Sequence, residues 1–393
     1  MNIRTTQCQQ APTLAEASQN ESLQLPNYVD SIYRAGPLPE DPKRAIPRGL
    51  AKLAKLLSMK AVVIPKFGGP DVLQVSDVSA PEPSEQEVLV RVRAAGVNFA
   101  DIMTAAGGYP GTPPPPLVAG REYCGVVEDA RHASADIQGQ RVMGYTQWGA
   151  FAELVAARRN YFWPVPAHWS AQEAAAFPVN YFTAYLAYWK AGLAGNSPEY
   201  SGHPASATKP RVLIHAVAGG VGTAAVQIGK LLGIETYGTS SSEEKLARVK
   251  GLGLQHGINY KERDYEEAIK EMTGGEGVDA VFEMLGGEHT GKSVRCLREF
   301  GRVIVYGTAT GKASAFDTRS LYAKGTSVHG LWLSVLSANK KVMDAAWAYM
   351  SEWIAADRLR PIAGHVLHMN QAGEAFRLLL ERKNFGKVVL NIP

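Results

Sequence analysis

The residues Val217-Ala-Gly-Gly-Val-Gly222 stand between a stretch that reads as a β-strand, Arg211–Ala216, and one that reads as a helix, Val221–Leu232. A bare glycine pattern is weak evidence, but one set between strand and helix is specific. Gly219 would let the backbone approach a pyrophosphate, and Gly222 would let the helix pack on the strand. The helix N-terminus adds unpaired N–H groups and a positive partial charge. Gly219, Gly220, Val221 and Gly222 are therefore the expected contacts of a dinucleotide, although Val217 replaces the first glycine of the usual pattern. The competing reading is a tight turn that binds nothing.

Which dinucleotide fits is decided at the tip of the next strand, Tyr237-Gly-Thr-Ser-Ser-Ser242. A carboxylate there would accept from an adenosine ribose and repel a 2′-phosphate. Hydroxyl groups stand there instead, Ser240 and Ser241 among them, and Lys245 follows on the next helix. A charge-assisted hydrogen bond to phosphate contributes about 1.5–3 kcal/mol, so one lysine with hydroxyls can set a preference for NADPH over NADH. Glu243 and Glu244 read as first-turn acids favoured by the helix dipole.

These groups need elements to hold them. Strands are expected at Lys60–Pro65, Val72–Val75, Glu87–Ala95, Val142–Gly144 and Phe151–Val155, with a proline-rich turn at Pro113–Pro116. Ala171–Trp189 reads as a helix. From Arg211 onward strands (Glu235–Thr239, Asp279–Met284, Arg302–Gly307) alternate with helices (Ser242–Leu252, Tyr265–Thr273, His289–Leu297). Such alternation implies right-handed crossovers and a parallel sheet. A late helix, Asn339–Ala355, and a last strand, Lys387–Ile392, follow. Residues 1–58 differ from the rest. Residues 1–25 are rich in Gln, Ser, Thr and Ala, and 26–47 carry five prolines, so the segment reads as a tail. Within it Arg48–Leu57 could form a short amphipathic helix, read as a strap on its own domain in preference to a membrane or partner anchor.

Composition narrows the function classes. A chain of 393 residues with 46% hydrophobic content exceeds one usual core and suggests two domains. Cys8, Cys124 and Cys296 lie far apart, which excludes a disulfide framework and a cysteine-built zinc site and suits a reducing, cytoplasmic setting. The net charge is +4, and the seven basic and five acidic residues of 1–58 hold half of that excess, so no basic face is left for nucleic acid. The uncharged run Val212–Gly229 carries His215, Gln227 and several glycines and reads as strand, turn and helix, not as a membrane span. Membrane association is not expected.

Five collinear motifs carry a resemblance: Ala94-Ala-Gly-Val-Asn-Phe-Ala-Asp101, Gly120-Arg-Glu-Tyr-Cys-Gly-Val-Val127, Pro178-Val-Asn-Tyr-Phe-Thr-Ala-Tyr185, Ala218-Gly-Gly-Val-Gly-Thr223 and Gly257-Ile-Asn-Tyr260. With the Lys387-Val-Val-Leu390 ending, the chain from about Met59 to Pro393 resembles the medium-chain dehydrogenase/reductase superfamily. Within it the chain is similar to the zinc-free quinone oxidoreductases, including the zeta-crystallin type and the vesicle-amine-transport-protein-like branch. The resemblance implies an α/β fold with a GroES-like β-barrel catalytic domain and a Rossmann domain, a doubly wound parallel sheet, with the active site between them. It divides the chain into a tail at 1–58, the first part of the catalytic domain at 59–180, the Rossmann domain at 181–320, and completion of the catalytic domain by 321–393.

The same resemblance implies roles. Asn98 would hydrogen-bond near the nicotinamide or the substrate, and Tyr109 would overhang the same cleft as a proton donor or a pocket wall. The wall reading is favoured, because phenols ordinarily ionise at about 10. Asn180 and Thr183 match the nicotinamide-ribose end, Lys245 and Tyr260 match 2′-phosphate contacts, and Gly307 and Lys387 complete the expected cofactor set. Trp332 would line the acceptor pocket or belong to the core. Zinc enzymes of the superfamily carry a cysteine where this chain has Asn98 and a histidine where it has Arg121, so no metal is expected. His215 and His256 fall at strand ends and read as structural. Three features depart from the family pattern: the tail, the long connection 196–209, and Glu283 where an aspartate is common.

Without a Lewis acid, hydride must go to an acceptor that stabilises its own developing charge, which a quinone or a conjugated carbonyl does. The leading expectation is an NADPH-dependent oxidoreductase of quinones or related small conjugated carbonyls. A sibling expectation is an enoyl or alkenal reductase in a biosynthetic pathway. From another class comes an NADPH-binding structural or membrane-associated protein. A homodimer is the family expectation.

Overall fold

The computed structural model describes residues 58–130, 135–195 and 209–393. The expected tail with its helix Arg48–Leu57 and the connection 196–209 lie outside the described residues, save for Ser58 and Lys209. The front half is built from β1 (Ser58–Ile64), β2 (Gln74–Ser79), β3 (Glu87–Val97), β4 (Leu117–Val118), β5 (Glu122–Asp129), β6 (Arg141–Tyr145), β7 (Leu154–Arg158) and β8 (Phe162–Pro164). One helix, α1 (Phe99–Ala105), interrupts them. β3 alternates buried valines with more exposed residues over its first half, as a sheet strand covered on one face must. It pairs antiparallel with β5 and β7, and β1 pairs with β2 and β4.

Two expected strands move. Pro70–Val72 forms a 3-10 turn, because proline has no N–H for a ladder, and the strand begins at Gln74. Phe151 exchanges single backbone bonds with Val62 and Ala119, so the strand expected from Phe151 starts at Leu154. The helix expected over Ala171–Trp189 is two: α2 (Ala171–Ala175) and α3 (Pro178–Lys190). Pro178 cannot donate to the preceding turn and opens the second helix instead. Nearly every residue of α3 is buried, and Phe182 packs on Trp163 with ring centroids 4.2 Å apart. The helix thus lies in the core shared by the barrel and the parallel sheet.

The second half runs β9 (Arg211–Ile214), α4 (Gly220–Leu231), β10 (Glu235–Ser240), α5 (Glu243–Leu252), β11 (His256–Asn259), α6 (Tyr265–Met272), β12 (Val278–Glu283), α7 (Glu288–Arg295), β13 (Leu297–Val305) and β14 (Ser327–Gly330). The six strands form one parallel sheet, order β11-β10-β9-β12-β13-β14. Val212, Leu213 and Ile214 of its central strand are fully buried, the near-continuous apolar run that a sheet covered on both faces requires. β14 lies past residue 320, so the parallel sheet extends beyond the expected division at 320/321: Ser327–Gly330 ladders onto Arg302–Val305. After α8 (Lys340–Ala355), β15 (Ala363–His368), α9 (Ala372–Leu380) and β16 (Lys387–Asn391) return the chain to the barrel, where β16 pairs antiparallel with β3. The barrel therefore takes strands from both ends of the described chain.

Candidate functional site

The glycine turn is built as its spacing requires. Gly219 is the N-cap of α4 in extended conformation. A Cβ on Gly219 would meet only the Ala216 carbonyl, at 3.2 Å, whereas one on Gly220 would lie 2.4 Å from the Asn180 amide and one on Gly222 2.5 Å from the Ala216 and Val217 carbonyls. Gly220 and Gly222 are thus demanded by packing, and Gly219 leaves space outside the turn. The first-turn N–H groups of α4 have no intrahelical acceptor, the ordinary arrangement for holding an anion.

At the tip of β10 no carboxylate appears. Ser240 is buried and its carbonyl accepts the Tyr260 N–H at 3.0 Å; Ser241 is half-buried; Ser242 caps α5 by accepting the Lys245 N–H at 3.4 Å. The Lys245 ammonium donates to the Arg382 carbonyl at 2.5 Å, and the Arg382 guanidinium donates to the Tyr260 hydroxyl at 3.0 Å. Burial first, then Arg248, pulls the Lys245 amine below its ordinary range, against Tyr260 and Glu244. Lys245 and Tyr260 come together as the sequence suggested. Arg382 had no signal in sequence: it follows a helix 137 residues later and sits in left-handed conformation, φ 55°. Glu243 and Glu244 fill the first turn of α5.

A second cluster, of Lys387, Glu122, Asn98 and Asn180, is buried. Lys387 Nζ contacts Glu122 Oε2 at 2.5 Å, donates to Asn98 Oδ1 at 2.6 Å, and reaches Asn180 Oδ1 at 3.5 Å. Glu122 also accepts from Asn98 Nδ2 at 3.2 Å and from the Val179 N–H at 2.7 Å. Glu122 is a second residue that sequence reasoning missed, though it stood inside a quoted motif. Thr183 lies one turn beyond Asn180 on α3 and is buried. Gly307, just past β13, packs against Met284.

Tyr109 and Trp332 meet: Trp332 Nε1 donates to the Tyr109 hydroxyl at 2.7 Å, with ring centroids 6.0 Å apart in edge geometry. Trp332 is 42% exposed, so it does not belong to the core. The Arg121 guanidinium lies over the Tyr109 ring, 3.9 Å from its centroid. The segment that carries Arg382 and Lys387 also meets the glycine turn, since Gly386 donates its N–H to the Ala218 carbonyl at 2.8 Å and bridges Gly219.

The strand-end histidines are satisfied. His215 Nδ1 pairs with Thr239 Oγ1 and Nε2 with Ser293 Oγ, both at 3.1 Å, while burial holds the imidazole far below its usual range. Glu283 accepts the Leu285 and Gly286 N–H groups and the Ser293 hydroxyl. His256 pairs with Glu235 at 2.7 Å. Among the described residues no group of three or more His, Cys, Asp or Glu side chains is placed to hold a metal ion, and no helix is long and apolar enough to cross a membrane.

An open glycine at a helix start, a cationic cluster without a carboxylate, and a buried amide pair are compatible with a nicotinamide dinucleotide. The family model described as "Alcohol dehydrogenase GroES-like domain" matches residues 84–167, and "Zinc-binding dehydrogenase" matches 220–352. The chain is 31% identical over 350 residues to the synaptic vesicle membrane protein VAT-1 homolog of Danio rerio, covering 84% of this chain and 69% of that one. It is 31% identical to quinone oxidoreductase of Homo sapiens, covering 84% and 97% respectively. The structure of the quinone oxidoreductase from Thermus thermophilus, solved also as its complex with NADPH, superposes with a TM-score of 0.73 at 34% identity, covering 85% of this chain and 100% of that one. On these matches the chain belongs to the medium-chain dehydrogenase/reductase superfamily, in its zinc-independent quinone oxidoreductase family, and is a nicotinamide-dependent oxidoreductase.

Proposed function

We propose that this enzyme uses NADPH to reduce a quinone or a related conjugated carbonyl. The observation that carries the cofactor choice is the cluster of Lys245, Arg382 and Tyr260 beside a strand tip whose side chains are hydroxyls. Two cations and a phenol there favour a 2′-phosphate, and no carboxylate on that tip opposes one. Lys245 and Arg382 would hold the 2′-phosphate, the first turn of α4 the pyrophosphate, and Asn98, Asn180 and Thr183 would border the nicotinamide end. Bound NADPH would supply hydride. The acceptor would gain two electrons with that hydrogen and take a proton from solvent at its oxygen.

The chain's own contribution is orientation and enclosure. The Glu122–Lys387 pair fixes the Asn98 side chain from both of its polar atoms, so that its amide has one orientation. Tyr109 and Trp332 supply an aromatic edge against which a flat acceptor can lie. An assay of NADPH and NADH against 1,4-benzoquinone and an enone, run side by side, tests the reading. Equal efficiency with NADH removes the cofactor choice; turnover of the enone alone transfers the proposal to the alkenal reductases. A homodimer and a cytoplasmic location belong to the same reading and are checked by sedimentation and by fractionation.

A further inference from the structure

The inference rests on the acceptor reading above and adds a residue to it. Arg121 is 6% exposed, and its close side-chain polar partners among the described residues are Thr104 and Asp101. Its Nη2 donates to Thr104 Oγ1 at 2.6 Å, and its Nε lies 3.5 Å from Asp101 Oδ1. Both of those last two atoms are buried without a hydrogen bond. The other Asp101 oxygen is committed to the Asn98 N–H at 2.8 Å. Burial dominates both partners: it pushes Asp101 up to about 6 in spite of the neighbouring guanidinium, and it lowers Arg121. The pair is thus imperfectly matched, and the face of the guanidinium turned to Tyr109 keeps its attraction for the ring.

The Trp332 indole, a donor only, occupies a lone pair of the Tyr109 oxygen. The phenol hydrogen is therefore free to donate elsewhere. A cation on the ring face and a donor on the oxygen both draw electron density away from that O–H and strengthen it as a donor. We propose that Arg121 is a positioning residue for the reduction: it fixes the Tyr109 ring and, through it, directs a positive field at the acceptor oxygen. The pocket then prefers acceptors whose reduction gathers negative charge on one oxygen.

The test needs no turnover. The full chain is titrated calorimetrically, with and without NADP+, with 4-nitrophenolate as a probe of an anionic oxygen and with 4-nitroanisole as its neutral counterpart. Wild type should bind the phenolate more tightly, and Arg121→Met should shrink that preference by roughly three- to thirtyfold. Arg121→Lys, which keeps charge but not the planar fork, should retain part of it. Because Arg121→Met leaves a buried carboxylate alone, Asp101→Asn/Arg121→Met is measured beside it. On a Tyr109→Phe background the same Arg121 change should have no further effect, which a merely structural role would not produce. An unchanged preference in Arg121→Met or in the double variant overturns the proposal, as does an undiminished Arg121 effect on Tyr109→Phe. Failure of wild type to oxidise NADPH with either acceptor class overturns the proposed function instead, and the binding ratio still judges Arg121.

Discussion

At the β10 tip Lys245 is half-buried and its ammonium rests on one main-chain carbonyl, whereas Lys387 is 3% exposed and meets Glu122, Asn98 and Asn180. Both are proposed cofactor contacts. A lysine that shares its charge with a lone carbonyl is cheaply redirected to a phosphate, while one neutralised by a buried carboxylate holds a shape. Reading a ligand and fixing a side chain therefore make opposite demands on burial, and the two lysines divide them.

The largest expected effect follows from breaking the buried pair. Lys387→Met should destabilise the fold by about 3–5 kcal/mol in urea titrations, because the Glu122 carboxylate is left buried and uncompensated. Glu122→Gln/Lys387→Met should recover part of that loss, and a single-variant loss near zero would erase the contrast between the lysines. Next comes a pH effect at the same end. Asp101 ionises at about 6 in the fold against an ordinary 3.8, chiefly through burial. Its contribution to stability is fully present below 3.8 and is lost as pH rises through 6. Relative to Asp101→Asn, wild type should therefore lose on the order of 3 kcal/mol between about pH 3.5 and 7. A flat difference between the two stability profiles would show that burial does not control this carboxyl.

At the exposed end, Lys245→Ala should raise the Michaelis constant for NADPH by roughly ten- to a hundredfold and leave that for NADH unchanged, with little change in melting temperature. Parallel shifts with both cofactors would mean that the lysine does not read the phosphate. The smallest effect is expected from Trp332→Phe, which keeps an aromatic wall but removes the N–H donated to Tyr109. The acceptor Michaelis constant should rise about two- to fivefold, the measure of one partly solvated hydrogen bond.

The parallel sheet was legible because its strands and helices have different periods and the glycine turn marks where they meet. Lys245 was legible for the same reason, being one helical turn past a strand tip. Arg382 was not, since a turn after a late helix carries no period and its partners lie 137 and 122 residues earlier. Glu122 stood in plain view within its motif, but an acidic residue in a strand reads as surface until a lysine 265 positions on is known to face it. The strand Ala363–His368 escaped because few of its side chains are apolar at a clear spacing. The break between α2 and α3 was missed although Pro178 carries its signal, the hydrogen bond it cannot make.

The segment Arg382–Lys387 touches Tyr260 and Lys245 at one end and Asn98 and Glu122 at the other, with Gly386 against the glycine turn between them. In a chain made from its N-terminus, the turn at 219–222 leaves the ribosome well before this segment does. A nascent chain would therefore carry the sheet's glycine turn and still lack both the second cation and the lysine that orients Asn98. On the proposed function, the cofactor site would be finished only when β16 docks on β3, so tight cofactor binding would report that this strand is in place.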